Sequence, residues 1–196
     1  MIATDDRTVP YALIETGIGF IGIAWSERGL TRLQLPARDR QATERRLLAT
    51  IRGRAVESPD MQNLDMPAQI AALVGLLRRY GAGETVDFSG VAVDLDGVDP
   101  FRRAIYDAAR RLGFGETTTY GGLAEEAGYK GRAQDTGQAL GRNPVPIVVP
   151  CHRILAAGNR IGGFSAPGGS AAKERLLEME GVQVGPPPPA QRSFAF

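Results

Sequence analysis

Among 196 residues there is one cysteine and one histidine. A single cysteine excludes an intramolecular disulfide, and one Cys with one His is too few for a closed zinc site of thiolates and imidazoles. No metal and no cofactor are therefore expected. The thiol is free, which suits a reducing compartment. The chain also lacks an apolar run long enough to cross a bilayer, and Met1-Ile2-Ala3-Thr4-Asp5-Asp6 has neither the basic region nor the apolar stretch of a secretory leader. These absences predict a cytoplasmic protein without a membrane partner. Strong charge of either sign is missing too: the net charge is +1, so any nucleic-acid footprint has to be local. Residues 97–181 are slightly the more basic part, with 11 Arg/Lys against 9 Asp/Glu, whereas residues 1–96 have 11 against 13. Apolar residues make up 43% of the chain, enough for one large domain or two modest ones.

The one cysteine and the one histidine stand side by side, as Cys151-His152, at the end of the stretch Asn143–Ile154. Ile147, Val148 and Val149 predict a short buried strand or extended segment that delivers Cys151 to the interior, where a thiol is either an inert small hydrophobe or an activated nucleophile. An adjacent imidazole favours the second, because the thiolate is the reactive form. Pro144, Pro146 and Pro150 fix φ at three places and stiffen the segment.

In chain order, Tyr11–Ile14, Phe20–Trp25 and Leu30–Leu35 predict an antiparallel meander with turns at Gly17 and Gly29. Helices follow over Ala42–Ile51 and about Pro67–Tyr80, the second with Asp65 near its start. This part shows no catalytic constellation and reads as scaffold. Asp87–Gly97 is a last strand or extended linker and marks a domain boundary. Asp99 caps a helix with Pro100 at its first position and Gly113 as its stop. Its arginines, Arg102, Arg103, Arg110 and Arg111, read as a solvated face or as phosphate contacts. A helix from Thr118 to Ala127, a turn at Gly128-Tyr129-Lys130-Gly131 and a second helix over Arg132–Leu140 form a helix-turn-helix candidate. Ala133, Gly137 and Ala139 would let that second helix approach a groove closely. The glycine-rich loop Gly162–Gly169 is either a connector or, through Phe164, a wall for a planar ligand.

Ser170 is expected to cap a final helix, Ala171–Glu180, stopped by Gly181. Glu180 shares the apolar face of Leu176 and Leu177 and opposes the helix macrodipole. Either it partners His152, fixing the imidazole tautomer and raising the basicity of the other nitrogen, or it is a frayed, exposed end. The proline run after Gly185 predicts a disordered tail over residues 185–196.

Pro-Cys-His-Arg followed by an aliphatic residue, with Asn-Pro eight positions before the cysteine, resembles the active-site signature of the methylated-DNA–protein-cysteine methyltransferases. The resemblance covers residues 98–181, with a looser fit of the N-terminal part to the ribonuclease H-like domain of that family. It implies an α/β protein: a ribonuclease H-like α/β scaffold domain over 1–96 and a mostly helical alkyltransferase and DNA-binding domain over 97–184. It implies a suicide DNA repair enzyme that moves an alkyl group irreversibly from O6-alkylguanine, with O4-alkylthymine as a further candidate, to Cys151. His152 and Glu180 would relay the thiol proton through a bound water, Asn143 would brace the turn, and Tyr120 would protonate the leaving guanine. The carbonyls of Cys151 and Ile154, with Phe164 and Ser165, would hold the base. The partner implied is double-stranded DNA, bound by a monomer through the minor groove by Tyr120, Arg132, Ala133, Gln134 and Gly137. Departures are Gln134 where the family has an arginine finger, Asp135 beside it, Phe164 in place of a tyrosine, and Ala166-Pro167 lengthening the loop. The other function classes consistent with the residues are a non-enzymatic sensor that recruits repair factors to alkylated DNA, and a cysteine hydrolase or redox thiol. The last lacks a resolving cysteine.

Overall fold

The alternating apolar residues of the first third fold as the expected meander. A computed structural model describes residues 8–58 and 66–185. In it β1 (Thr8–Thr16), β2 (Gly19–Ser26) and β3 (Gly29–Gln34) pair antiparallel, with a bulge at Ala24/Trp25. A short strand that the sequence pattern did not reveal, β4 (Arg54–Glu57), lies parallel to β1 and gives the order β3-β2-β1-β4. Only four residues long and half exposed, it has too little apolar alternation to announce itself. Residues 1–7, 59–65 and 186–196 lie outside the described part, and with them the N-terminal residues read as lacking a leader, the Asp65 helix start and the expected tail beyond Gly185.

Both faces of the sheet are covered, which is why the middle of β1 is buried at every position. Tyr11, Leu13 and Ala24 face Leu47 of α1 (Arg40–Leu48). The alternate residues, Ala12, Ile14, Ile21 and Ile23, join the main core with α2 (Ala68–Gly81). The first helix begins two residues before the expected Ala42, because Asp39 accepts from the Ala42 amide at 2.8 Å. Along α2, Ile70, Leu73, Val74, Leu77 and Tyr80 form one buried stripe at helical spacing. Tyr80, the last of them, lies against the C-terminal part of the chain.

Residues 87–97 run as an extended linker touching the edge of β3: the Leu30 amide donates to Ala92 and the Asp94 amide to Leu30. Helix α3 (Pro100–Ala109) starts as predicted on Asp99 but ends before Gly113, at the Arg110 cap. Of its arginines, Arg103 and Arg111 are exposed, as a solvated face requires, and Arg102 and Arg110 are half-buried. Arg102 pairs with Asp99 and Arg111 with Glu126, while Arg103 and Arg110 donate to carbonyls of the linker. Next come β5 (Thr118–Thr119), α4 (Tyr120–Glu126) and α5 (Ala133–Gly141). Tyr106 of α3 donates to the Ala139 carbonyl of α5, and Phe101 meets Tyr129 of the intervening turn edge-to-face. After a 3₁₀ turn at Cys151–Arg153, β6 (Ile154–Leu155) pairs parallel with β5. Helix α6 (Gly169–Met179) closes the described chain. Ser170 does not cap it; Gly168, at φ +85°, makes the entry turn, and the Ser170 hydroxyl donates instead to the Gly162 carbonyl. A continuous cluster of buried residues runs from Ala12 to Leu176 through both parts.

Gly29 shows how tightly the linker is held. Its φ is +138°, and a Cβ there would lie 2.4 Å from the Ala92 carbonyl oxygen. Gly75, on the exposed side of α2, has nothing within 4 Å of such a Cβ. Gly29→Ala is expected to lower stability by about 2–3 kcal/mol, and Gly75→Ala to raise it by about 0.5–1 kcal/mol. Urea midpoints of the two variants check this, and midpoints moving the same way would contradict it.

Candidate active site

The cysteine is delivered by a loop that closes on itself. The prolines at 144, 146 and 150 have no N–H to give to a sheet ladder, so the expected strand over Ile147–Val149 does not form. Asn143 supplies the missing order: its Oδ1 accepts from the Val145 amide at 3.0 Å and its Nδ2 donates to the Val149 carbonyl at 2.8 Å. Ile147 sits at φ +73°, a region a β-branched residue avoids at a cost of about 1–3 kcal/mol. The Leu33 amide of β3 donates to the Pro144 carbonyl, tying the loop to the sheet. Cys151 then falls on the 3₁₀ turn, buried.

Glu180 is neither frayed nor exposed; its side chain is fully buried. Its Oε1 faces His152 Nε2 at 2.8 Å, accepts from the Tyr80 hydroxyl at 2.7 Å and from Arg153 Nη2 at 2.9 Å. Oε2 accepts from Arg153 Nε at 2.8 Å and from the Gly115 amide at 3.1 Å. A carboxylate can only accept, so the ring nitrogen that faces it carries the proton. The other nitrogen, Nδ1, is left as an acceptor, buried and without a hydrogen-bond partner among the described residues.

Burial pushes the Cys151 thiol above its ordinary value, while a hydrogen bond from Asn143 and the charge of Lys173 pull it partly back. Burial also dominates at His152 and lowers its pKa, against the opposing pull of Glu180, so the imidazole rests neutral. For Glu180, burial alone would raise the pKa, but His152 and Arg153 outweigh it and hold the carboxyl well below the usual range. Lys173, fully buried on α6, donates to the Ile154 carbonyl and stands 5.6 Å from the centre of the Tyr120 ring. Burial brings its pKa down to about 8, with the Cys151 charge acting the other way.

The β5–β6 pair brings the start of α4 beside the segment that follows Cys151. Tyr120, half-buried, donates to the Gly163 carbonyl at 3.3 Å, and a Cβ at Gly162 would stand 3.3 Å from its hydroxyl. Phe164 and Ser165 line a cavity of about 290 Å³ together with Cys151, Asn143 and Pro146. On α5 and its cap, Arg132 and Gln134 are exposed and Ala133 is half-buried. Arg132 pairs with Asp135 and covers the Phe101 ring at 5.1 Å. Gly137 faces the Tyr120 ring, 3.8 Å from where its Cβ would be. Among the described residues no group of His, Cys, Asp and Glu could hold a metal, and no helix is long and apolar enough to cross a membrane.

Residues 100–182 match the family described as 6-O-methylguanine DNA methyltransferase, DNA binding domain. A methylated-DNA–protein-cysteine methyltransferase of Methanothermobacter thermautotrophicus is 32% identical over 164 residues, covering 84% of this chain and 81% of the relative. The chain belongs to the methylated-DNA–protein-cysteine methyltransferase family. The enzyme of that name from Mycobacterium tuberculosis is 39% identical over 114 residues, 58% of this chain and 67% of the relative. A crystal structure of the Mycobacterium tuberculosis OGT in complex with DNA superposes with a TM-score of 0.69 at 32% identity, covering 88% of this chain and 92% of that one. The mixed α/β fold is that of these methyltransferases. Family membership makes the chain a DNA repair protein whose reaction is alkyl transfer to a protein cysteine.

Three methyltransferase residues in the site were given no role by the sequence. A signal for Arg153 exists, because a carboxylate on an apolar face needs compensation that one neutral imidazole does not supply. Lys173 lies at i, i+3, i+4 and i+7 with Leu176, Leu177 and Glu180, so the spacing that singled out Glu180 singles it out as well. Tyr80 is 100 residues from Glu180 and carries no local signal.

Glu180→Gln would leave the buried Arg153 guanidinium unpaired, which costs about 3–5 kcal/mol. Because the folded carboxyl titrates below its unfolded value of about 4.3, its contribution is complete above that pH and lost as pH falls through the folded value. Urea denaturation is expected to show the loss at neutral pH and a smaller difference from the parent in acid. Equal stability of the two proteins at neutral pH would contradict the pairing.

Proposed function

We propose that Cys151 itself accepts the alkyl group of O6-alkylguanine, and of O4-alkylthymine as a secondary substrate, in duplex DNA. The observation that carries this is the one open acceptor of the buried network. With Nε2–H committed to Glu180, His152 Nδ1 is free to take the thiol proton, directly or through a water. The five donors to Glu180 keep it ionised throughout, so it orients the imidazole and stabilises the imidazolium without accepting the proton. Lys173 is charged at neutral pH and offsets the thiolate, whose formation burial opposes.

Tyr120 supplies the proton for the leaving guanine. Burial first, and then the charge on Cys151, raise its pKa and hold the phenol protonated while the thiolate is present. Alkylation removes that charge, so proton donation becomes easier as the carbon–oxygen bond breaks. Phe164, Ser165 and the Cys151 carbonyl line the base site; the Ile154 carbonyl, already an acceptor for Lys173, keeps one lone pair for the exocyclic amine. The thioether product has no route back, so each molecule acts once.

Helices α4 and α5 serve as the helix-turn-helix that meets the minor groove, with Ala133 and Gly137 allowing approach and Gln134 filling the place of the extruded base. Arg132 neutralises Asp135, which removes the repulsion that carboxylate would exert on phosphates. Residues 1–96 act as a ribonuclease H-like scaffold, 97–184 as the alkyltransferase unit and 185–196 as a tail, in a cytoplasmic monomer.

Intact-protein and peptide mass spectrometry after mixing with excess duplex carrying one O6-methylguanine tests this. The expected result is one added methyl per molecule, on the Cys151 peptide, and none in Cys151→Ala. Binding without mass gain would overturn it in favour of a sensor.

A further inference from the structure

The cavity that contains Cys151 is not closed by the alkyltransferase unit alone. One wall is Pro146, Phe164 and the Ala166-Pro167 insertion; another is Arg32 and Gln34 of β3 with Arg46 of α1, and Arg142 follows the end of α5. Its lining has three arginines and no acidic residue. None of the three forms an ion pair among the described residues, and Glu44 and Glu57 are engaged by Arg40 and Tyr11. Arg32 is half-buried, gives one hydrogen bond, to the Thr31 carbonyl, and has its guanidinium pKa lowered by burial and by Arg52. An uncompensated, partly desolvated guanidinium in a cavity shared with a nucleophile is a site for an oxyanion.

We propose that this arginine wall fits the protein to O6-alkyl adducts that end in a carboxylate, such as O6-carboxymethylguanine. The proposal rests on Cys151 being the alkyl acceptor. The charge slows attack by a thiolate relative to a neutral amide of the same shape, because the sulfur and the carboxylate beside the reacting carbon repel each other. Guanidinium groups that bind the carboxylate remove that repulsion and orient the methylene carbon toward Sγ. In the reaction the thiol proton goes to His152, the S–CH₂ bond forms, and the CH₂–O6 bond breaks with its electron pair leaving on guanine. Guanine takes a proton from Tyr120, and Cys151 ends as a carboxymethyl thioether. No oxidant or second reactant is needed. The cavity, about 290 Å³, lies at the small end of the roughly 300–1,000 Å³ range for small-ligand sites.

The test compares single-turnover transfer rates from three otherwise identical duplexes, carrying O6-carboxymethylguanine, its neutral amide isostere O6-carbamoylmethylguanine, or O6-methylguanine. The parent protein is set against Arg32→Gln/Arg46→Gln, and against Arg46→Gln alone, whose exposed side chain makes misfolding a minor concern. The carboxymethyl-to-carbamoylmethyl rate ratio is expected to fall at least about tenfold in the double variant, by less in the single one, with methyl transfer unchanged. An unchanged ratio would overturn the proposal. So would an equal loss on all three duplexes with weaker binding to undamaged DNA, which would assign the arginines to backbone phosphates. Failure of the parent protein to transfer even methyl would instead overturn the alkyl-acceptor reading on which the proposal rests.

Discussion

The buried carboxylate of Glu180 is the constraint on which the rest of the site depends. An ionised group without solvent is tolerable only when its lone pairs are filled, and here they are filled from three directions: the 3₁₀ turn through His152 and Arg153, α2 through Tyr80, and the segment before β5 through Gly115. Each donor is thereby fixed relative to the others. The imidazole tautomer follows from this, and with it the direction in which a proton can leave the thiol. Arg153 shares the Glu180 carboxylate with His152, and burial of the thiol is offset by the hydrogen bond from Asn143 and the charge of Lys173.

This arrangement changes what the N-terminal part contributes. It supplies no nucleophile or base, yet Tyr80 closes the network, the Leu33 amide holds the proline loop, and β3 with α1 forms one wall of the cavity beside Cys151. Separate folding of the two parts would lose all three. The continuous core from Ala12 to Leu176 has the same implication: the strained turn at Ile147 is held by packing from both sides.

Much of this was legible in the residues. The meander followed from alternation, α2 from its stripe, and the pairing of His152 with Glu180 from a carboxylate standing where local rules forbid it. What failed did so for identifiable reasons. Ile147–Val149 reads as strand by composition, but three prolines without amide hydrogens and the side chain of Asn143 make it a closed loop. Ser170 looks like a cap until Gly168, with its left-handed backbone, takes that place. The engagement of Arg103 and Arg110 was not visible, because their carbonyl acceptors lie in the linker, ahead of the helix in sequence. Tyr80 was out of reach, since a contact across 100 residues leaves no periodic trace.

Because the chain has one histidine, its protonation can be read without assignment ambiguity. The most direct measurement is a nitrogen-15 NMR titration of the His152 imidazole from about pH 5 to 8. The account predicts a neutral ring in the Nε2–H tautomer at neutral pH, with Nδ1 unprotonated, and protonation only below the ordinary imidazole range, because burial depresses the pKa and Glu180 fixes the proton on Nε2. An Nδ1–H tautomer, or an imidazolium at neutral pH, would contradict it.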